Sequence, residues 1–348
     1  MSIEVHHALG LTAAELAQID ALGQRLGDDG EYRNRLSLLK SAIEEQQTRT
    51  IAEVLAAGMA AYGPVSPLLM IVQSLPVVRA LYRRCGIADA VRDATLADVR
   101  RWIDEHAVRN GAEFGLSQVF WIARHLSCRI LQLGSLQYEQ RRFGYPYRIY
   151  RSSETALLLV VAESGIPCDG EGYFDEQRPA FVTSLMEDGT TLSAHVVDLA
   201  AGRISSARQS FRLERMELLC HRQSEILNVH IPKGSDLAAR AVDASLAAAA
   251  EYFSLCSVFV CTSWLLDPAL AGLLEEGSNI VGFMHRFSKF PVPFSVPQLY
   301  ERVFGFGLAE KEVRSYSART RLQRAVQRAL DSGVVFRTMG GFVLVRGA

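Results

Sequence analysis

Apolar residues recur at three- and four-residue spacing through the first 125 or so positions. They do so in LTAAELAQIDALGQRL (11–26), RNRLSLLKSAIEEQQTRTIAEVLAAGMAAY (33–62), PVVRALYRRCG (76–86) and TLADVRRWIDEHAVRN (95–110). This is the period of amphipathic helices. In the last of these, Thr95 has the character of an N-cap, with Asp98 three positions on as an approximate capping box. Asn110-Gly111 is a stop signal, and GLSQVFWIARHL (115–126) predicts one more helix. From Cys128 the pattern changes to short β-prone runs bounded by turn residues: RILQLGSLQYEQRRF, YRIYR, TALLLVVA, LSAHVVDL, ARQSFRLERMELLC, EILNVHI, SVFVCTSW and NIVGF. Helical stretches interleave from Ser235 (SDLAARAVDASLAAAAEYF, PALAGLLEE, PQLYERVF, RTRLQRAVQRALDSG), and VVFRTMGGFVLVRG reads as a closing hairpin around Gly340-Gly341. Residues 163–190 read as a long loop, of a kind that often covers a binding site. The pattern predicts an α+β protein: an all-helical N-terminal domain over 1–125 and a mixed-sheet α/β domain over 126–348.

A chain of 348 residues is long enough for two domains. Charge is balanced, 37 basic against 38 acidic residues for a net −1, which argues against nucleic-acid binding through bulk charge and against a polybasic membrane-surface binder. Only four of the basic residues are lysines, Lys40, Lys233, Lys289 and Lys311, so the place of each is informative. The uncharged stretch Val54–Val78 has the length of a membrane span, but Gly58, Gly63, Pro64, Pro67, Gln73 and Pro76 interrupt it. Two buried helices meeting at Gly63-Pro64 fit better. The six cysteines, Cys85, Cys128, Cys168, Cys220, Cys256 and Cys261, form no C-x-x-C pair, and MSIEVHHALG lacks the zones of a signal peptide. Reduced thiols and a cytoplasmic setting follow as expectations. Neither the histidines, with His6-His7 in a terminus expected to fray, nor the cysteines have metal-ligand spacing, so no metal is expected.

The strongest chemical unit is EILNVHIPKGSDLAARAVDASL. Alternation puts Leu227, Val229 and Ile231 on one face of a strand and Asn228 and His230 on the other. Pro232 ends it, Gly234 permits an unusual backbone angle, and Ser235 or Asp236 can cap a following helix. A strand, a Lys-Gly-Ser loop and a helix start suit a phosphate, with Lys233, Gly234 and Ser235 as its cradle. The plainer alternative is an ordinary capped turn. In SVFVCTSWLLDPALAGLLEEGSNIVGF, Asp267-Pro268 is a helix start, and Cys261 lacks a neighbouring base that would make it a nucleophile. Glu139 ends the first strand of the second domain on its polar face. Arg302–Gly307 (RVFGFG) imitates a pyrophosphate loop but follows a helix, so Gly305 reads as that helix's C-terminal glycine.

HLSCRILQLGSLQYE (125–139), LNVHIPKG (227–234), FVCTSWLLDPAL with SNIVGF, and TRLQRAVQRAL followed by a glycine-containing end occur in an order that resembles a bacterial family of two-domain N-acyltransferases. That family has a helical N-terminal domain and a GNAT-like C-terminal domain. The likeness runs from about residue 60 to the end, and the middle loop matches poorly. His125, Gly134, Gln137, Glu139, His230, Pro232, Gly234, Ser263, Trp264, Asp267 and Asn279 keep the family pattern; Cys128, Ser135 and Thr262 stand where the family has Gly, Arg and His. The resemblance implies transfer of an acyl group from an acyl-CoA or acyl-carrier-protein thioester to an amine of a small molecule or peptide. Such a reaction needs a base and an aligned amine. Glu139 and His230 are the base candidates, Gln323 and Arg324 candidates for the pantetheine-phosphate region, and Trp264, Asp267 and Asn279 for shaping the pocket. The alternative is a non-catalytic relative acting as a binding or scaffold protein, which Ser135 and Thr262 favour and the intact 230–235 unit disfavours. A third reading makes Cys261 an acyl carrier.

Overall fold

The computed structural model describes residues 9–345, so His6 and His7 lie outside the described residues. The chain packs as two units, one of residues 1–139 with 231–235, the other of 140–230 with 236–348. Among the described residues the first unit is built from seven helices of eight to nineteen residues: α1 (Ala13–Leu26), α2 (Gly30–Glu44), α3 (Thr48–Tyr62), α4 (Ser66–Arg84), α5 (Asp89–Leu96), α6 (Asp98–Arg109) and α7 (Val119–Leu126). Its entry is a capping box, in which the Thr12 hydroxyl accepts from the Glu15 N–H and the Glu15 carboxylate from the Thr12 N–H. The run over 33–62 is two helices rather than one, because Gln46 turns left-handed (φ 55°). Gly63 (φ 88°) separates α3 from α4, as the Gly-Pro signal predicts, and among the described residues no helix is long and apolar enough to cross a membrane.

Thr95 is not an N-cap. It lies inside α5, where its hydroxyl donates back to the Val91 carbonyl (2.7 Å) and accepts from the Gln132 N–H (2.9 Å). Satisfied on both sides, it ties α5 to the strand that follows α7, and α6 starts at Asp98 behind Ala97. That strand, β1 (Ile130–Leu133), turns through Gly134 (φ 65°) and Ser135 into β2 (Leu136–Arg142), pairing Leu133 with Leu136. The left-handed glycine is what a two-residue hairpin turn requires.

From Gln140 on, β2 belongs to the second unit. There it stands beside β11 (Glu225–His230) in a sheet ordered β2–β11–β12–β14–β13, where β12 is Val258–Ser263, β13 Ser288–Pro291 and β14 Met339–Leu344. β11 and β12 are parallel, with Asn228 opposite Val260. A parallel pair needs a long crossover, and α8 (Ala239–Tyr252) supplies it. A second, antiparallel sheet runs β10–β3–β4–β8–β7, with β9 also on β8. Here β3 is Tyr147–Ser152, β4 Leu158–Ala162, β7 Leu185–Glu187, β8 Thr191–Asp198, β9 Arg203–Arg212 and β10 Met216–Cys220. The core lies where Tyr147, Ile149 and Val160 of this sheet meet Val258, Val260, Phe290 and Phe342 of the first.

Three local expectations differ from the structure. Residues 279–283 are helical (α10, Asn279–His285): Ser278 caps the Val281 N–H, and the buried Val281 and Met284 have three-residue spacing that five letters of NIVGF could not reveal. Gly340 and Gly341 lie inside β14 and form no hairpin turn. An added Cβ on Gly340 would meet the Phe290 ring, and one on Gly341 would meet Leu266 and Phe287, so these glycines serve close packing rather than chain reversal. The stretch 163–190 holds short strands, β5 (Pro167–Cys168) paired with β6 (Phe181–Val182), and β7 paired with β8.

Candidate active site

Glu139 does not end the first strand: the chain turns at Gly134-Ser135, so Glu139 lies inside β2, in the first unit, mostly buried, with its carboxylate 3.1 Å from the Arg124 guanidinium at the end of α7. The 231–235 segment is a turn, closed by the Ser235 N–H and hydroxyl both donating to the Pro232 carbonyl (3.1 and 2.7 Å). Gly234 takes φ 80°, with open space where a Cβ would stand. Lys233 is exposed, and its ammonium pairs with Glu105 of α6 at 2.9 Å. Burial pushes the Glu105 carboxyl up, but the hydrogen bonds from Lys233 and Arg109 outweigh it and leave the group below the usual range. An ammonium has three donors, so the pairing leaves Lys233 capacity for a second anion.

In the second unit Asn228 and His230 share a face of β11 as alternation requires. The Asn228 amide lies 2.9 Å from His230 Nε2. With the Asn228 amide nitrogen as donor, His230 Nε2 accepts in this bond. The helix expected near Ser235 begins at Ala239 instead. Asp236 accepts from the Ala238 N–H, so the intervening residues are spent on a turn rather than on the helix.

Thr262, on β12, contacts the Tyr145 hydroxyl through its own, and both line a cavity of about 390 Å³ with Gly144, Phe174, Arg222 and Val292. Trp264 is half-buried in a single helical turn that follows β12. Asp267 is buried and caps the short helix Pro268–Ala271 through the Ala269 N–H (3.0 Å), while its second oxygen accepts from the Arg337 N–H (2.6 Å). Burial pushes its pKa up to about 6 in spite of these bonds and of the Arg337 charge. Asn279 is exposed in the first turn of α10. Gln323, in α13 (Arg321–Asp331), is buried: its oxygen accepts from the Arg319 and Thr320 N–H groups and its amide donates to the Val303 carbonyl. Arg324 is the exposed member of that pair. Gly305 (φ 130°) follows Phe304, the C-cap of α11 (Gln298–Val303), in agreement with the C-terminal-glycine reading of RVFGFG. Cys261 is fully buried, which pushes its thiol up to about 12 and leaves the acyl-carrier reading without a thiolate.

Two groups escape the sequence reading. Asp98, 2% exposed, accepts from Arg101 (2.8 Å), Trp102 (3.0 Å) and Trp121 (2.9 Å) and lies 3.3 Å from His125 Nε2. Burial pushes its carboxyl up, but the hydrogen bonds and charge of His125, with Arg101 and Trp121, outweigh that and hold it well below the usual range. The spacing of Arg101 and Trp102, three and four positions after Asp98, was visible; Trp121 and His125 arrive only by folding. Arg337 is the second group: its guanidinium lies 3.6 Å from the Tyr173 ring centroid and 3.4 Å from Glu171, and it pins the 169–175 loop. Among the described residues no cluster of three or more His, Cys, Asp or Glu could hold a metal ion.

The architecture, a helical unit and a mixed-sheet unit with a parallel central pair, is that of two-domain acyltransferases. Solved structures are similar over 99% of this chain. One is an acyltransferase in complex with decanoyl-CoA (18% identity, TM-score 0.58, 87% of that chain covered), and another an acyltransferase in complex with CoA and 10C-teicoplanin (19% identity, TM-score 0.51, 99% of that chain). A third, in complex with decanoyl-CoA and teicoplanin, has 18% identity, a TM-score of 0.51 and 99% of that chain covered. No curated protein matches the chain. The sequence pattern of the N-acyltransferase N-terminal domain matches residues 3–128 and that of the GNAT-like C-terminal domain residues 130–343. The chain belongs to this family of GNAT-like N-acyltransferases.

Proposed function

We propose that the protein moves an acyl group from an acyl-CoA, or from an acyl carrier protein, to an amine of a small molecule or peptide by direct attack. The neutral amine adds to the thioester carbonyl carbon, the C–S bond breaks, the thiolate leaves with the donor, and the amine proton passes to a base. The observation that carries this reading is the unbroken match to both domains of an N-acyltransferase family. Similar structures bound to decanoyl-CoA and teicoplanin support a thioester donor and a small-molecule acceptor. His230 is the proposed base: its Nε2 lone pair faces the Asn228 amide, a weak neutral bond that a substrate N–H can replace. Glu139, held by Arg124, is the second candidate, acting through water. Lys233, Gly234 and Ser235 are proposed to meet the donor's phosphates, with Arg324 as an outlying cation. Trp264, Asp267 and Asn279 are proposed to shape the acceptor side, Asp267 through the backbone it caps.

The test is a panel of acyl-CoAs and acyl-carrier thioesters against a panel of amines, read by product mass. Transfer to at least one amine is expected. Transfer to none, together with tight binding of a protein partner, would replace this reading with that of a scaffold. His230→Ala and Glu139→Gln are expected to lower turnover by about 10²–10⁴-fold with donor affinity kept, and the rate should rise with pH as the base or the acceptor amine loses its proton. Normal turnover in both variants would leave alignment alone carrying the reaction. Lys233→Ala should weaken donor binding, most at low salt because an exposed charge is screened; calorimetry showing equal affinities would remove the phosphate assignment.

A further inference from the structure

We propose that Cys85 and Cys128 are a redox modification site, closing to a reversible disulfide when the protein meets a hydroperoxide. Cys85 ends α4 and is exposed; Cys128 lies two residues past α7 and is half-buried. Two clamps hold these chain segments together. The Tyr82 hydroxyl, one turn before Cys85, donates to the His125 carbonyl at 2.8 Å. The Gln46 amide donates both to Cys85 Sγ (3.7 Å) and to the Ser127 carbonyl (3.2 Å). Across this bridge the two thiols are neighbours, and Cys85 adds to the burial that pushes the Cys128 thiol up. The backbone gives an independent sign: Cys128 takes φ 56°, a left-handed conformation that glycine adopts freely and a residue with a Cβ adopts only at a cost. The side chain held in that conformation is a thiol whose titration the Cys85 thiol influences. The four remaining cysteines are all buried in the second unit.

The chemistry balances with the peroxide as the only oxidant. The Cys85 sulfur attacks one peroxide oxygen, the O–O bond breaks, and the departing oxygen takes up the Cys85 proton, leaving a sulfenic acid and water from hydrogen peroxide or an alcohol from an organic hydroperoxide. The Cys128 sulfur then attacks the Cys85 sulfur; the S–S bond forms, the S–O bond breaks, and a water carries off the hydroxyl and the Cys128 proton. Two electrons pass from the two thiols to the peroxide, and a dithiol reductant returns them. Burial keeps the Cys128 thiol protonated, so the exposed sulfur is the one the peroxide reaches first. The bridge encloses residues 86–127, 42 residues that include α5, α6 and α7, and constrains the helical unit's unfolded chain.

Full-length reduced protein is treated with hydrogen peroxide, alkylated, digested without reductant and mapped by mass. The expected result is a peptide joining Cys85 to Cys128, a loss of two alkylatable thiols, reversal by dithiothreitol, and a thermal midpoint raised by several degrees. Cys85→Ser should abolish the cross-link and the midpoint shift. Cys128→Gly, which suits the local φ, should do the same in a folded background. Recovery of Cys85 as sulfinic acid with Cys128 still alkylatable would overturn the proposal, as would a midpoint shift that persists in Cys128→Gly.

Discussion

Asp98 and Asp267 are both buried, yet their carboxyls move in opposite directions. Burial raises each. Asp98 also faces an arginine, an imidazole and two indole N–H donors, which together favour its charge, whereas Asp267 has two backbone N–H donors and a single guanidinium. The signs of their pH dependence therefore differ. Asp98 contributes stability above the ordinary carboxylate pKa and loses it as pH falls. Asp267, with its folded pKa raised to about 6 from 3.8, contributes below about pH 4 and loses that contribution as pH rises through 6. Across that window the cost is on the order of 2–3 kcal/mol. Asp267→Ser keeps a capping oxygen without a titrating group, so urea melts between pH 4 and 6 should show a flatter stability profile than the wild type. Asp98→Ala leaves the buried His125 without its carboxylate, and equilibrium unfolding should show a loss of roughly 3–5 kcal/mol.

At the scale of elements, β14 shows how packing overrides a local signal. Gly340-Gly341 has the composition of a turn, but it passes through the middle of the sheet, paired with Phe290 and Lys289 on one side and Thr262 and Cys261 on the other. Phe290 lies across the Gly340 backbone. Gly340→Ala should therefore cost about 1–3 kcal/mol through overpacking, measured as a lower denaturation midpoint at unchanged slope; an unchanged midpoint would show that the ring yields. Thr95 repeats the lesson. Its position before an amphipathic run matches a cap, yet its hydroxyl is used inside a helix to hold the first strand. A local cap can behave as its letters predict, as Asp267 does for Pro268–Ala271, but Ser235 and Asp236 do not cap α8, which starts at Ala239.

For the whole molecule, the boundary between units falls beyond the point where the periodicity changes. The helices end at Leu126, but β1 packs on α5 and continues the first unit through Glu139, and residues 231–235 return to it. A fragment ending at residue 125 lacks Ile130 and Leu131, both buried, and the Gln132 partner of Thr95. A fragment ending at 139 keeps them. Circular dichroism melts should show the longer fragment to be the more stable; equal midpoints would mean that the hairpin adds nothing to the helical unit.

Much of this protein is written in local physics. The switch from a 3.6- to a 2-residue period separates helices from strands, Gly63-Pro64 marks the break between two helices, and alternation alone sets Asn228 and His230 side by side on β11. Each of these depends on residues a few positions apart, so a linear reading recovers it. The turn at Gly134, inside what reads as one β-prone run, was not legible. Nor were the residues that act across long separations. Arg124 holds Glu139, Glu105 holds Lys233, Tyr145 meets Thr262, and Asp98 gathers Trp121 and His125, because strand pairing and helix packing brought distant segments together. Sequence alone determined which groups could do chemistry. The tertiary structure decided which partners they have, since burial and contact set the charge, tautomer and reach of each group, and neither exists before the chain folds.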